Sequence, residues 1–222
     1  MPVEADFRRR LNEVSLYLRS LSDVEKRQLG NNKLFYRAHA ALAASRAASF
    51  IMIYNCVEYG TKEALAGIRQ EAAVKVTKFE ELIEYWQQEV VRHRYGRKLS
   101  EGINVESFLV DIRKSLPVQP ISLKDSRPLP FSGNINHDRL IDLARKIGDS
   151  KWRPPRSSLG GSDLELVRQA RNDLAHGDET FENVGSLYSI NDISDKLGRI
   201  RTFMCSYIRM LDRYRVNSRY RV

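Results

Sequence analysis

The sequence has few cysteines and no arrangement of residues that is typical of a metal site. Its two cysteines, Cys56 and Cys205, lie far apart in apolar, helix-like patterns, and they share no metal-ligand spacing with the four histidines. We therefore expect two buried thiols in a reducing compartment and no metal site.

Long hydrophobic segments are also missing. The longest strongly apolar run covers residues 50–54, far short of the roughly 20 residues that a membrane span needs. The first 13 residues contain no apolar core of the kind that a signal peptide carries. These features predict a cytoplasmic protein that has no membrane partner.

Glycine-rich nucleotide motifs and β-strand patterns are absent as well. Neither Gly-x4-Gly-Lys nor Gly-x-Gly-x-x-Gly occurs, so nucleotide binding of the Walker or Rossmann type is unsupported. There is no internal repeat, no low-complexity block and no sustained alternation of apolar and polar residues. Apolar residues recur at helical spacing instead, which predicts an all-α bundle of four to five main helices in a single domain, residues 1–222.

Several segments show the helical pattern, and two segments exclude it. A first helix should end before Gly30, and a second, over 33–72, is small or apolar on almost every side and should be central. Further helical patterns cover 75–94, a short stretch at 105–112, the segment from Asn136 to Gly148, and the region from about Asn191 onward. Four prolines predict a loop-rich insert around 113–135, and 149–162 should form a second loop.

The charge balance favours an anionic partner. Lys and Arg number 37 against 28 Asp and Glu, a net charge of +9, which suits nucleic acid. The residues we expect to contact RNA phosphates are Arg92 and Arg94 in a basic run, and Arg153 and Arg156 in the 149–162 loop; solvated surface arginines are the alternative interpretation. Residues 214–222 are either a flexible basic tail or a segment whose tyrosines stack on bases.

One predicted helix, near 163–177, carries an unusual arginine. Ser162 and Glu165 have the spacing of a capping box, and Gly177 suits the C-terminal end. Leu164, Val167 and Leu174 form its apolar stripe, and Arg171 lies on that stripe, about 20° from Leu164. A guanidinium at such a position needs a carboxylate partner or an anionic ligand. Glu58 lies on the apolar stripe of the second helix and is a candidate partner, although an exposed position at that helix's edge is equally consistent.

His176 follows Arg171 by five residues, about 140° around the helix, so the two side chains of one copy should diverge. They would act together if the helix unwound at Gly177, or if a two-fold axis brought a second copy alongside. The spacing therefore predicts an interface or a cleft.

The segment from Arg171 to Gly177, RNDLAHG, resembles the Arg-x4-His signature of the HEPN superfamily, in which a polar residue follows the arginine. The likeness extends to 48–65, to 132–148 and to the last helix, so it covers most of the chain. The resemblance implies an all-α HEPN-like bundle and an RNase of the kind found in bacterial toxin–antitoxin and phage-defence systems.

The chemistry implied by this resemblance is cleavage of RNA by its own 2′-hydroxyl, without a metal or cofactor. A base removes the hydroxyl proton, a cation stabilises the phosphorus centre and an acid protonates the departing oxygen. By match to the motif, His176 would be base or acid, Arg171 would hold phosphate oxygens and Asn172 would orient the phosphate or the histidine. Glu58 matches an acidic residue that family members carry near the motif.

The resemblance also implies partners: RNA, a second copy of the chain with the motif at the dimer interface, and a cognate antitoxin or a defence-complex protein. Some toxins of the superfamily are silenced by nucleotide transfer to a tyrosine two places after the histidine. This chain has Asp178 there, which argues against that route. The alternative function is a non-catalytic RNA- or nucleotide-binding module, in which Arg171 and His176 hold a ligand or the dimer.

Overall fold

The computed structural model describes residues 2–28, 35–99, 104, 106, 109–110 and 134–222, and within these ranges it contains α-helices and no β-strand, which confirms the all-α class. The predicted insert at 113–135 lies almost entirely outside the described residues. In chain order the described helices are α1 (Pro2–Gln28), α2 (Phe35–Lys75), α3 (Glu84–Leu99), α4 (His137–Lys146), α5 (Ser162–His176), α6 (Phe181–Ser186) and α7 (Ile190–Val216).

Helix α2 is the centre of the bundle, as its apolar character on all sides predicts. It packs against α1, α5, α6 and α7, and its fully buried residues include Phe50, Ile53 and Leu65. By length and composition alone, Ala38–Lys75 could cross a membrane, but 56% of its most apolar window is buried inside the structure. That burial is typical of a core helix.

Helices α1 and α7 complete the core around α2. On α7, Ser189 and Asp192 form a capping box at the N-terminus, and the stripe that includes Ile193, Leu197 and Ile200 is buried. Both cysteines are buried, as predicted, and burial raises the pKa of the Cys56 thiol to about 11 and also raises the pKa of Cys205. Such thiols are poor nucleophiles.

The predicted continuous helix over 75–94 is wrong in its first half. Helix α2 ends at Lys75, a short 3-10 helix covers Phe79–Glu81, and α3 starts only at Glu84. Long-range contacts account for the break, because Leu82 has an extended backbone and pairs with Arg221 in an isolated β-bridge. Apolar spacing alone does not reveal such a contact.

The end of the chain differs from both predicted alternatives. Tyr214 and Tyr220 are buried, so neither ring is available to stack on a base. The Ile83 N–H donates to the Tyr220 carbonyl at 3.0 Å, and Arg221 forms an ion pair with Glu81 at 2.8 Å. Residues 214–222 are therefore fastened to the bundle.

Candidate functional site

The motif helix α5 is bounded by two glycines with left-handed backbone, Gly161 (φ 92°) and Gly177 (φ 78°). The Gly177 N–H donates to the Asp173 carbonyl, which confirms the predicted C-terminus. The predicted capping box is wrong, because Ser162 already has helical angles (φ −54°, ψ −32°) while an N-cap residue needs an extended backbone. Glu165 is consequently free for other partners.

The first turn of α5 is attached to α7 by a buried carboxylate. Asp163 accepts a hydrogen bond from Arg199, with 2.6 Å between Oδ2 and Nε, and Lys196 lies 3.8 Å from its other oxygen. The apolar stripe that contains Leu164 and Val167 is buried, as predicted. These contacts fix the axial position of α5 and hence the place of its last two turns, which carry the motif.

Arg171 is half-buried and its partners are neutral. Its guanidinium carbon lies 5.3 Å from the centre of the Tyr54 ring, and its Nη1 donates to Asn172 Oδ1 at 3.0 Å. Among the ion pairs of the described residues, none joins Arg171 to a carboxylate. A guanidinium has five N–H donors, so the geometry leaves most of them for an anionic ligand.

Glu58, the predicted partner, does not form this ion pair. It lies on α2 one turn after Tyr54 and is half-buried. Burial raises the pKa of the Tyr54 hydroxyl and the charge of Glu58 raises it further, while the hydrogen bond from the Ile135 N–H and the charge of Arg171 offset part of the increase. The tyrosine ring therefore takes the position against Arg171 that the sequence pattern allowed for the glutamate.

Asn172 connects the motif to the segment before α4. Its Nδ2 donates to Asn134 Oδ1 at 2.9 Å, while its own Oδ1 accepts from Arg171. Asn134 Oδ1 also lies 3.5 Å from Nη1 of Arg168, which is one turn before Asn172 on α5. A row of hydrogen bonds thus runs along a half-buried side of α5 and ends on Arg171.

Arg168 is itself held by Glu165. Its Nε donates to Glu165 Oε2 at 3.1 Å, and Asn136, the N-cap of α4, donates to the same oxygen at 2.9 Å. The hydrogen bond from Arg168, with that from Asn136, lowers the pKa of Glu165 to about 2 from an ordinary value of 4.5. The contact therefore stabilises the fold at pH values above 4.5, and this stabilisation is lost as the pH falls towards 2. Solvent screens the contact, because the Glu165 side chain is 42% exposed.

His176 is the last residue of α5 and is exposed. No hydrogen bond or ion pair to its side chain occurs among the described residues, and its imidazole is accessible to solvent. Because α5 stays helical through His176 and Gly177 caps it, the unwinding that would bring Arg171 and His176 together is not observed. The two side chains lie about 140° apart around one helix.

The arginines predicted to contact RNA do not gather at this motif. Arg156 starts the 3-10 helix before α5, and Arg153 donates to the nearby Trp152 carbonyl at 2.9 Å; both precede a 15-residue helix, about 22 Å long, whose far end carries His176. Arg92 is on α3 and pairs with Glu89 at 3.1 Å.

Glu89 also pairs with Arg69, at 3.2 Å, and Arg69 lies 15 residues after Tyr54 on α2, about 22 Å along the axis. Arg92 is therefore remote from the motif within one copy. Arg94 lies in α3, but its side chain is outside the described residues. RNA contacts of these four arginines stay predictions for surfaces away from the motif.

Three residues at the site were missed by the sequence analysis: Tyr54, Asn134 and Arg168. Tyr54 had a usable signal, since it lies on the same helical face as Glu58. Asn134 had none, because it lies outside any periodic element and meets Asn172 across 38 positions of sequence.

Comparison with known proteins gives one result. The sequence matches the model of the family described as HEPN_MAE_28990-like HEPN over residues 3–220. No curated protein and no solved structure matches the chain significantly.

Proposed function

Because this chain belongs to the HEPN_MAE_28990-like HEPN family, whose superfamily includes many RNases, we propose that it is a metal-independent endoribonuclease. We place it in the cytoplasm, in a toxin–antitoxin or phage-defence system. The observation that carries the proposal is the state of Arg171: a half-buried guanidinium that is held by an amide and a tyrosine ring and has no carboxylate partner among the described residues.

The proposed reaction uses the RNA's own 2′-hydroxyl. A base takes the hydroxyl proton, a bond forms between the 2′-oxygen and phosphorus, the bond from phosphorus to the 5′-oxygen breaks, and an acid gives that oxygen a proton. The products are a 2′,3′-cyclic phosphate and a 5′-hydroxyl. His176 moves protons, Arg171 stabilises charge on the phosphate oxygens, and Asn172 orients Arg171.

Incubation of the pure protein with RNA in excess EDTA tests the proposal. We expect cleavage that EDTA leaves unchanged, and products that end in a 2′,3′-cyclic phosphate. An RNA with a single 2′-deoxynucleotide should resist cleavage at that position and be cut elsewhere, because the nucleophile has been removed only there. Cleavage at the 2′-deoxy position would overturn the mechanism, and no cleavage of any RNA would overturn the proposed activity.

We further propose that the site is shared by two copies of the chain. One helix directs Arg171 and His176 to different sides, whereas two copies of α5 related by a two-fold axis would place two arginines and two histidines around one cleft. Glu58 lies near Tyr54 and would moderate the repulsion between such cations.

Mixing two strongly impaired variants tests the shared site. If Arg171→Ala and His176→Ala subunits exchange at random, half of the dimers are mixed, and the shared cleft of each mixed dimer keeps one of its two pairs of Arg171 and His176 from opposite copies. Cleavage should then recover to about a quarter of the wild-type rate. Each variant alone, incubated in the same way, is the control. A mixture that stays as inactive as its components would contradict a site built from both copies.

A non-catalytic RNA- or nucleotide-binding module is the second candidate, favoured by the divergence of Arg171 and His176 within one copy. Such a module would bind RNA with an affinity that falls steeply with salt, and it would not cleave any RNA with or without EDTA. Filter binding at several salt concentrations, run beside the cleavage assay, separates the two functions.

A further inference from the structure

Asn134 lies outside the Arg-x4-His motif but is connected to it by hydrogen bonds. It precedes α4, is half-buried, and uses its single side-chain oxygen twice: Asn172 Nδ2 donates to it at 2.9 Å and Arg168 Nη1 lies 3.5 Å from it. An amide has one accepting end and one donating end. The oxygen of Asn134 therefore faces α5.

The orientation of Asn134 is imposed by Arg168. A guanidinium only donates hydrogen bonds, and Arg168 is held in place by Glu165, with 3.1 Å between its Nε and the carboxylate. If the amide of Asn134 were reversed, its NH₂ group would face the Nη1 donor of Arg168, which cannot accept a hydrogen bond. Such donor pairs repel, so the oxygen-inward orientation is strongly favoured.

Asn134 in turn imposes the orientation of Asn172. With the NH₂ group of Asn172 directed to Asn134, its oxygen must face the other way, where it accepts from Arg171 Nη1 at 3.0 Å. Reversal of Asn172 would set an NH₂ group against the guanidinium. Asn134 thus acts on Arg171 through one intermediate amide.

We propose that Asn134 is a positioning residue for the active site: its side-chain oxygen sets the amide of Asn172, which fixes the guanidinium of Arg171 for a phosphate. The inference rests on the proposed function, in which Arg171 contacts the phosphate. It assigns a role in that site to the segment before α4, which contributes no residue to the motif.

Asn134→Ala should lower the cleavage rate about 10-fold, because a misdirected catalytic group loses much of its effect while binding persists. Asn134→Asp keeps an accepting oxygen towards Asn172 and should restore the rate constant to within about threefold of wild type. Its added negative charge near Arg171 should raise KM. A general loss of structure would not produce this separation of rate constant from KM.

The decisive measurement is a double-mutant cycle with Arg171→Ala. If Asn134 acts through Arg171, Asn134→Ala should cost nothing further when Arg171 is already alanine. Ser189→Ala, which removes the N-cap of α7, is the control for a modest loss of stability; it should lower the melting temperature but leave the rate of the folded protein unchanged. Any of three results would overturn the assignment. The double variant could lose cleavage rate by the product of the two single losses, Asn134→Ala could cleave at the wild-type rate, or Asn134→Asp could fail to restore the rate.

The same cycle distinguishes failure of this inference from failure of the proposed function. If the wild-type protein binds RNA but does not cleave it, the nuclease proposal fails, and the cycle is then measured in dissociation constants for RNA. Non-additive losses of affinity for Asn134→Ala and Arg171→Ala would still support positioning of a phosphate-binding guanidinium. Additive losses, or no effect of Asn134→Ala on affinity, would reject it.

Discussion

Replacement of His176 by alanine should reduce RNA cleavage by at least ~10²-fold, because a general acid or base contributes about 10²- to 10⁴-fold and a methyl group cannot transfer a proton. The fold should be unaffected. His176 is exposed at the end of α5, with no side-chain hydrogen bond among the described residues, and alanine is a good helix former. We expect a melting temperature within about 2 °C of wild type.

Two further variants make this result specific. His176→Gln keeps hydrogen-bonding groups but cannot exchange a proton near neutral pH, so it should be as inactive as His176→Ala. His39→Ala removes another exposed histidine, on α2, and should cleave at the wild-type rate. If His176→Ala cuts RNA as fast as wild type, His176 takes no part in catalysis.

The parts of the fold that could be predicted from the sequence depend on local interactions. The periodicity of α7, the cap at Asn136 and the glycine that ends α5 each involve residues within a few positions of one another, and each prediction is confirmed. Local preference and final structure agree at these places because the tertiary contacts do not oppose them.

The wrong predictions all involve contacts between distant residues. Ser162 and Glu165 have the spacing of a capping box, yet Gly161 takes the N-cap position and Glu165 accepts a hydrogen bond from Asn136, 29 positions earlier in the chain. The segment after Lys75 has helical spacing, yet pairing with the chain end holds it extended at Leu82. Spacing identifies the face of a helix on which a residue lies but not the residue that opposes it.

The site illustrates the same limit. The sequence predicted that Arg171, on an apolar stripe, needs a partner, and it offered Glu58 because both lie on core-facing stripes. Tyr54 and Glu58 are one turn apart on α2, so periodicity could not decide between them. The structure selects the ring of Tyr54 and supplies an amide, Asn172, in place of a carboxylate. A guanidinium with neutral partners keeps its full charge for a ligand, which is the property that phosphate binding requires.

The largest effect on stability should come from Gly185→Ala, in the helix that follows the motif. Helix α6 crosses α2 so closely that a Cβ atom at position 185 would overlap the carbonyl group of Ala43. This part of α2 is rich in alanine, and the close approach occurs at Ala43. Backbone atoms cannot rotate away as a side chain does, so we expect a loss of about 3 kcal/mol or more and a melting temperature lower by roughly 6–12 °C.

Gly198→Ala is the matched control, measured by the same thermal unfolding experiment. Gly198 lies within α7 and a Cβ there would meet no atom within 4 Å, so alanine should stabilise the helix by about 0.5–1 kcal/mol. A loss of stability for Gly185→Ala together with a gain for Gly198→Ala would establish the close crossing. A Gly185→Ala protein as stable as wild type would refute it. Helix α6 follows the motif helix α5 after a short connection. Gly185→Ala should therefore also lower activity, but only by the fraction of the protein that is unfolded. His176→Ala should lower activity in protein that stays folded, and this contrast separates the helix that supports the site from the residue that acts in it.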